Sequence, residues 1–261
     1  MVIERIFSGN YDLWVLDLDR GGVGSPITFD PYDERDPIWS PDGRYVAFTS
    51  MRSDSQNLYR TFLAGEEEPE LLMQSKEGNL HTEDWSDNGR FIAYLEEAGT
   101  RNAIGILPLL DDQTPIPVVQ GKFDYDEPKF SPDGKWMAYI SNETNQNEVY
   151  IRPLEGEGEK KRISNGGGGQ PQWRGDGKEL FYLALDGSMM AVEIRGEQFA
   201  PGTPEFLFKT DVIVVPHLDQ YAVTDDGQRF IFLTTGQASG VSSINFVVKW
   251  FEELKQRVPV D

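Results

Sequence analysis

Trp39-Ser40-Pro41-Asp42-Gly43-Arg44-Tyr45-Val46-Ala47-Phe48 is the stretch that decides the fold, because near-copies of it return along the chain. Phe130-Ser131-Pro132-Asp133-Gly134-Lys135-Trp136-Met137-Ala138-Tyr139 is almost a duplicate. Three more degraded copies read Trp85-Ser86-Asp87-Asn88-Gly89, Trp173-Arg174-Gly175-Asp176-Gly177 and Val223-Thr224-Asp225-Asp226-Gly227. Asp-Gly between apolar alternating runs is a strong hairpin signal: the glycine takes a positive φ without a Cβ penalty and the aspartate tolerates a tight turn. The proline ahead of it fixes φ and lacks an N–H, so it ends the incoming strand. The unit is a hairpin rather than a catalytic loop.

Outward from that turn the pattern repeats. The turn glycines Gly43, Gly89, Gly134, Gly177 and Gly227 are spaced by 46, 45, 43 and 50 residues. Strands with large apolar residues follow each turn at 45–50, 91–95, 136–141, 180–184 and 230–234. A third strand is predicted at 58–63, 103–109, 149–154, 189–194 and 244–250, and a fourth at 70–73, 116–119, 161–164 and 206–208. Four short strands in a period of about 45 residues make a propeller blade. Helical periodicity is missing except over 250–257, which predicts one or two closing turns.

At the N-terminus, Tyr11–Asp17 aligns with a third strand and Ser25–Phe29 with a fourth, with no turn motif ahead of them. The last unit supplies three strands and no fourth. The expectation is an all-β propeller of four-stranded blades, six favoured with the first lacking at least its inner strand, five as the alternative. It forms a single domain over 1–261, with a blade remnant at 1–30 and repeats at about 31–75, 76–120, 121–165, 166–210 and 211–261.

A chain of 261 residues buries a sizeable core without staples. It has no cysteine, which excludes disulfides, thiolate metal sites and a cysteine nucleophile. Lys+Arg 24 against Asp+Glu 44 leaves a net charge of −20, which repels phosphate backbones and anionic headgroups, so nucleic acid is not an expected partner. The N-terminal residues carry a charge pair and no long apolar run, so neither a signal peptide nor membrane insertion is expected of this chain.

The run Asp36-Pro37-Ile38-Trp39-Ser40-Pro41-Asp42-Gly43, with Asn57-Leu58-Tyr59 after it, resembles the WD-like repeat of TolB-type β-propellers, and so does Asp124–Pro128 leading into Phe130–Gly134 and Glu148–Pro153. The closing Phe246–Leu254 is similar to the end of propeller regions that follow a kinase or DNA-binding regulator domain in bacterial multidomain proteins. The resemblance implies a bacterial, periplasmic or otherwise extracytoplasmic setting, where TolB-type propellers dock a lipoprotein partner. It implies a protein-binding or signalling module and is nearly silent on chemistry, since one scaffold serves many functions.

The chain has two histidines, His81 and His217, and no nucleophile elbow, phosphate loop or His-Glu-x-x-His helix. Gly166–Gly169 lacks the lysine and helix of a phosphate loop and reads as a flexible connection between blades. Binding has better support. In a propeller the first strand of each blade lines the central channel, and alignment on the aromatic gathers Arg35-Asp36, His81-Thr82, Asp126-Glu127, Gly169-Gln170 and Asp219-Gln220 at its mouth, with His217 nearby. The expectation is a non-catalytic module that binds a protein, peptide or small ligand through Arg35, Asp36, His81, Thr82, Asp126, Glu127, Gln170, His217, Asp219 and Gln220. The alternative is a hydrolase or lyase using His81 or His217 with nearby carboxylates, with or without a metal. No catalytic residue, metal ligand or cofactor is assigned. The acidic runs Asp30–Asp36 and Asp124–Glu127 offer oxygen ligands of the type Ca²⁺ takes, without the spacing of an EF-hand.

Overall fold

In the computed structural model each copy of the turn closes in the same way. The model describes residues 1–7, 9–18, 20–64, 67–76, 78–110, 113–155, 158–196, 199–212, 214–215, 218–235 and 242–248. The Gly43 N–H donates to Ser40 O at 2.9 Å, the Ser40 N–H to Tyr45 O at 2.9 Å, and the Tyr45 N–H to Ser40 Oγ at 2.9 Å. Asp42 Oδ1 accepts from Ser40 Oγ at 2.6 Å and from the Arg44 N–H at 3.1 Å. Only the glycine of the pair has a positive φ, 67°. The loop is therefore a proline-started turn ended by a left-handed glycine and locked by the aspartate, not the two-residue turn in which both central residues are left-handed. Ser86–Asn88, Ser131–Asp133 and Thr224–Asp226 repeat the hydroxyl-to-side-chain bond.

Between these turns the described residues form six antiparallel sheets in chain order and no helix. The first is β1 (Val2–Phe7), β2 (Asn10–Asp17) and β3 (Val23–Pro26). The second is β4 (Glu34–Trp39), β5 (Tyr45–Ser50), β6 (Asn57–Phe62) and β7 (Glu70–Met73), and the third is β8 (Asn79–Trp85), β9 (Phe91–Ala98), β10 (Arg101–Pro108) and β11 (Ile116–Val119). The fourth comprises β12 (Tyr125–Phe130), β13 (Trp136–Ser141), β14 (Glu148–Pro153) and β15 (Lys161–Arg162). In the fifth, β16 (Gly169–Trp173), β17 (Glu179–Leu183) and β18 (Ser188–Arg195) are followed by short β19 (Ala200–Pro201) and β20 (Glu205–Lys209), both paired to β18. The sixth is β21 (Tyr221–Val223), β22 (Arg229–Thr235) and β23 (Ser242–Val248).

The second strands at 45–50 and 136–141 and the fourth strands at 70–73 and 116–119 coincide with the sequence reading, and the others shift by a few residues at their ends. The sequence reading missed β1. Its register with β2, from Val2↔Val15 to Phe7↔Asn10, makes it the counterpart of a second strand, and among the described residues β2 is the strand that pairs with it. The predicted closing turns at 250–257 and His217 lie outside the described residues.

The chain divides into two compact units, Met1–Pro128 and Lys129–Asp261. In the first, Leu13 packs with Val46, Phe48 and Tyr59 between the first two sheets, and Ala47, Leu58, Leu72, Leu80, Trp85, Ile92 and Tyr94 pack between the second and third. In the second, Trp173, Leu180, Tyr182, Val192 and Phe199 pack with Ile140, Val149 and Ile151, while Phe181, Leu183, Tyr221, Phe230 and Phe232 join the fifth and sixth sheets. Each fully buried aliphatic or phenylalanine side chain adds about 1.5–3 kcal/mol. Within each unit, successive antiparallel meanders of three to five strands pack on one another through apolar side chains, which is the construction of a β-propeller.

The polyglycine run is anchored rather than loose. The Gly166 N–H donates to Glu148 Oε1 at 3.0 Å and the Gly168 N–H to Asn147 O at 2.9 Å. A Cβ on Gly168 would lie 2.8 Å from the Tyr182 ring, so glycine is required there by close approach.

Candidate functional site

One backbone feature recurs on the first strands. Three residues before the aromatic that ends the strand, Asp36, Glu127 and Gln170 have φ of 53°, 51° and 55°. The strand pairing skips at the same place, between Arg35 and Ile38 on β4, Thr82 and Asp84 on β8, and Gly169 and Gln172 on β16. Aspartate enters the left-handed region at modest cost, whereas Glu and Gln have no such advantage, and each such residue costs about 1–3 kcal/mol. A bulge with this backbone re-aims its side chain. Candidate residues chosen on sequence spacing thus sit at a special conformation.

In the first unit the structure brings Asp36, His81 and Thr82 together, while the neighbouring Arg35 turns to Tyr11 and Asp33. His81 Nδ1 lies 2.8 Å from Asp36 Oδ2, and the Thr82 hydroxyl donates to the Asp36 carbonyl. The Asp36 N–H donates to Glu4 Oε1 at 2.8 Å. Glu97 approaches His81 Nε2 at 3.6 Å, so the imidazole stands between two carboxylates. Burial works against its charge, yet Asp36 and Glu97 outweigh burial and the His81 pKa is raised above the ordinary histidine value. The Glu4 pKa is raised by burial, partly offset by the Asp36 N–H. Arg35 lays its guanidinium 3.6 Å over the Tyr11 ring and 3.7 Å from Asp33. Asp126 and Glu127 are buried at the end of this unit, where Asp126 Oδ1 accepts the Glu127 N–H at 2.9 Å.

In the second unit Gln170, fully buried, is held from three sides. Its Nε2 donates to Gln220 Oε1 at 2.8 Å, its Oε1 accepts the Gln220 N–H at 2.9 Å, and its carbonyl accepts the Tyr221 hydroxyl at 2.8 Å. Those bonds hold the left-handed backbone in place. Asp219 is half-exposed and pairs with Lys129 Nζ at 2.8 Å. The Trp173 Nε1–H caps the Lys129 carbonyl at 3.2 Å.

Sequence spacing did not single out Glu4, Glu97 or Lys129. Lys129 immediately precedes Phe130 and was within reach of the same alignment, whereas Glu97 needed the β8–β9 register, in which it faces Asn79. Behind the first cluster, Glu34 has no exposure and lies 2.6 Å from Arg52 Nη2, which also holds Asp30 at 2.5 Å. Burial pushes the Glu34 carboxyl up to about 7 against the pull of Thr28 and Arg52. Arg52 thus already engages two carboxylates of the acidic run read as Ca²⁺-type oxygen donors. Among the described residues, no group of three or more His, Asp and Glu side chains is arranged to hold a metal ion.

The fold and these clusters define a β-propeller whose first strands carry fixed polar groups. No family model matches the chain. A segment of 174 residues is 28% identical to the uncharacterized peptidase YuxL of Bacillus subtilis (strain 168), covering 53% of this chain and 26% of that protein. Among solved structures, TolB from Acinetobacter baumannii is similar with a TM-score of 0.72 at 18% identity, over 90% of this chain and 56% of TolB. The nidogen/laminin complex contains a chain similar at a TM-score of 0.67 and 13% identity, over 92% of this chain and 87% of that one. Oligogalacturonate lyase and a puromycin-hydrolysing peptidase are also among the similar structures. The chain spans about a quarter of YuxL and little more than half of TolB, and at these identities the structural likenesses establish the fold.

Proposed function

We propose that this chain is a non-catalytic binding module of a bacterial extracytoplasmic or signalling protein, and that it recognises a protein or peptide through the polar groups of its first strands. The observation that carries the reading is the left-handed backbone at Asp36, Glu127 and Gln170, a conformation of recurring cost kept at one register position by buried hydrogen bonds. Side chains fixed in this way lose little entropy when they meet a ligand. Arg35, Asp36, His81 and Thr82 act in one unit, and Gln170, Asp219 and Gln220 in the other, with Asp126 and Glu127 at the end of the first. The TolB and nidogen likenesses support a partner-binding role. The absence of any helix long and apolar enough to cross a membrane, among the described residues, is consistent with it.

Peptides selected by display on the immobilised chain test this. Replacing Arg35, His81, Asp126 and Asp219 together with alanine is expected to weaken the selected peptides at least tenfold, about 1.4 kcal/mol or more. Because Asp126 is buried, the pair His81→Gln with Asp219→Asn serves as a milder variant that keeps the fold. Unchanged affinity in both removes the first-strand surface as the binding site.

A second reading is favoured by the His81–Asp36 pair at 2.8 Å, an arrangement suited to acid–base chemistry, and by the similarity to a peptidase. It makes the chain a hydrolase or lyase. A panel of peptide and uronate substrates, assayed with and without added Mn²⁺ or Ca²⁺, decides it: turnover abolished by His81→Ala supports it, and no turnover ends it.

A further inference from the structure

The chain contains two Asn-Gly pairs, Asn88-Gly89 and Asn165-Gly166, and the fold treats them in opposite ways. An asparagine before a glycine loses its side-chain amide when the glycine nitrogen attacks the carboxamide carbon, because no Cβ obstructs the approach. Asn88 is held out of that reaction. Its Oδ1 accepts the Ser86 hydroxyl at 2.9 Å and the Arg90 N–H at 3.0 Å, and the Gly89 N–H is engaged by Ser86 O at 2.7 Å. Asp42 and Asp133 accept the same two bonds in their own turns.

Asn165 has none of these restraints. Its side chain is exposed and has no partner among the described residues. Gly166 has a φ of 92°, and a Cβ placed on it would meet nothing within 4 Å beyond its chain neighbours, which leaves room for a five-membered ring. The Gly166 N–H donates to Glu148 Oε1 at 3.0 Å. Glu148 is 1% exposed; its Oε1 also accepts Gln146 Nε2 at 2.8 Å and its Oε2 accepts the Ser164 hydroxyl. Burial pushes the Glu148 pKa up, yet the bonds from Ser164, Gln146 and the Gly166 and Gly167 N–H groups outweigh it and hold the group below its ordinary value. The nearby Tyr182 hydroxyl, pushed up to about 12 by burial and by Glu148, stays uncharged. A buried carboxylate thus sits on the proton that the attacking nitrogen must lose.

We propose that Asn165 is a site of self-catalysed deamidation with Glu148 as its general base. Glu148 takes the amide proton as the Gly166 nitrogen bonds to Asn165 Cγ. The carboxamide nitrogen receives that proton and leaves as ammonia, which closes a succinimide. Water opens the ring at one carbonyl or the other and gives aspartate or isoaspartate; no oxidant or cofactor takes part. Isoaspartate adds a methylene to the main chain of the run that leads through Gly168, whose N–H donates to Asn147 O at 2.9 Å, into β16. The reaction therefore loosens the anchored entry to β16 as the chain ages, whether or not the first strands bind a partner.

The full chain is incubated in neutral buffer, and deamidation at each asparagine is followed by peptide mass mapping and by labelling with isoaspartyl methyltransferase. Asn165 is expected to convert about tenfold or more faster than Asn88, and the two rates to converge when the chain is unfolded in urea. Glu148→Gln, shown folded by circular dichroism, is expected to slow Asn165 about tenfold or more. The pH profile of the native chain serves where that variant does not fold: with Glu148 as base the Asn165 rate is level across neutral pH, whereas attack driven by hydroxide climbs in proportion to it. An intact Asn165, equal rates at the two asparagines in the folded chain, or a difference that persists in urea overturns the proposal. So does an unchanged rate in the folded variant or a rate proportional to hydroxide.

Discussion

Replacing Glu34 with glutamine is expected to remove a stability contribution that the chain loses between mildly acidic and neutral pH. The Glu34 side chain has no exposure, and burial raises its pKa from 4.5 to about 7, with Thr28 and Arg52 pulling it down and Asp30 pushing it up. The folded protein thus holds this proton more tightly than the unfolded chain. The contribution is complete below pH 4.5, declines as pH rises through the interval to about 7, and is gone above it. A rise of that size corresponds to about 3 kcal/mol. Chemical denaturation followed by tryptophan fluorescence at a series of pH values measures it. The unfolding free energy of the native chain minus that of Glu34→Gln should fall by about 3 kcal/mol between pH 4 and 8. A flat difference refutes the reasoning, and a rising one shows that the Arg52 ion pair outweighs burial and holds Glu34 ionised.

Two further outcomes are expected. Gly105→Ala puts a Cβ 2.3 Å from both Cζ and Oη of the buried Tyr94, so the ring must shift, and is expected to cost about 1–3 kcal/mol, read as a lower melting temperature. Asp36→Asn removes the strongest support of the His81 charge and is expected to lower the histidine titration seen by NMR; the native pair stabilises fully below the ordinary histidine value of 6.5 and loses that stability as pH rises through the raised folded value, so the variant should lack this loss.

Much of the architecture was legible because its punctuation is local. Ser40, Asp42, Gly43 and Tyr45 satisfy one another within six residues, so a copy of the motif is a copy of the hairpin wherever it occurs. Where the local cue was missing, the reading failed: β1 has no turn motif ahead of it, and its strand character comes from pairing with β2 and packing beside β4. The candidate residues were legible as a list, since the aromatic fixed their register. Their partners were not: Glu97 reaches His81 only through pairing of β8 with β9, and Glu4 reaches Asp36 across 32 residues of chain.

The sequence by itself determined the hairpin unit, its period of about 45 residues and hence the propeller, because turn chemistry and strand alternation act between near neighbours. Only the tertiary structure decided what the polar residues of the first strands are. Asp36 and Gln170 become left-handed where hydrogen bonds from other strands compensate the cost of the conformation, and at Glu127 the neighbouring Asp126 carboxylate accepts the backbone N–H. Glu34 and His81 acquire displaced pKa values because packing removes water and brings charges together that the chain keeps far apart.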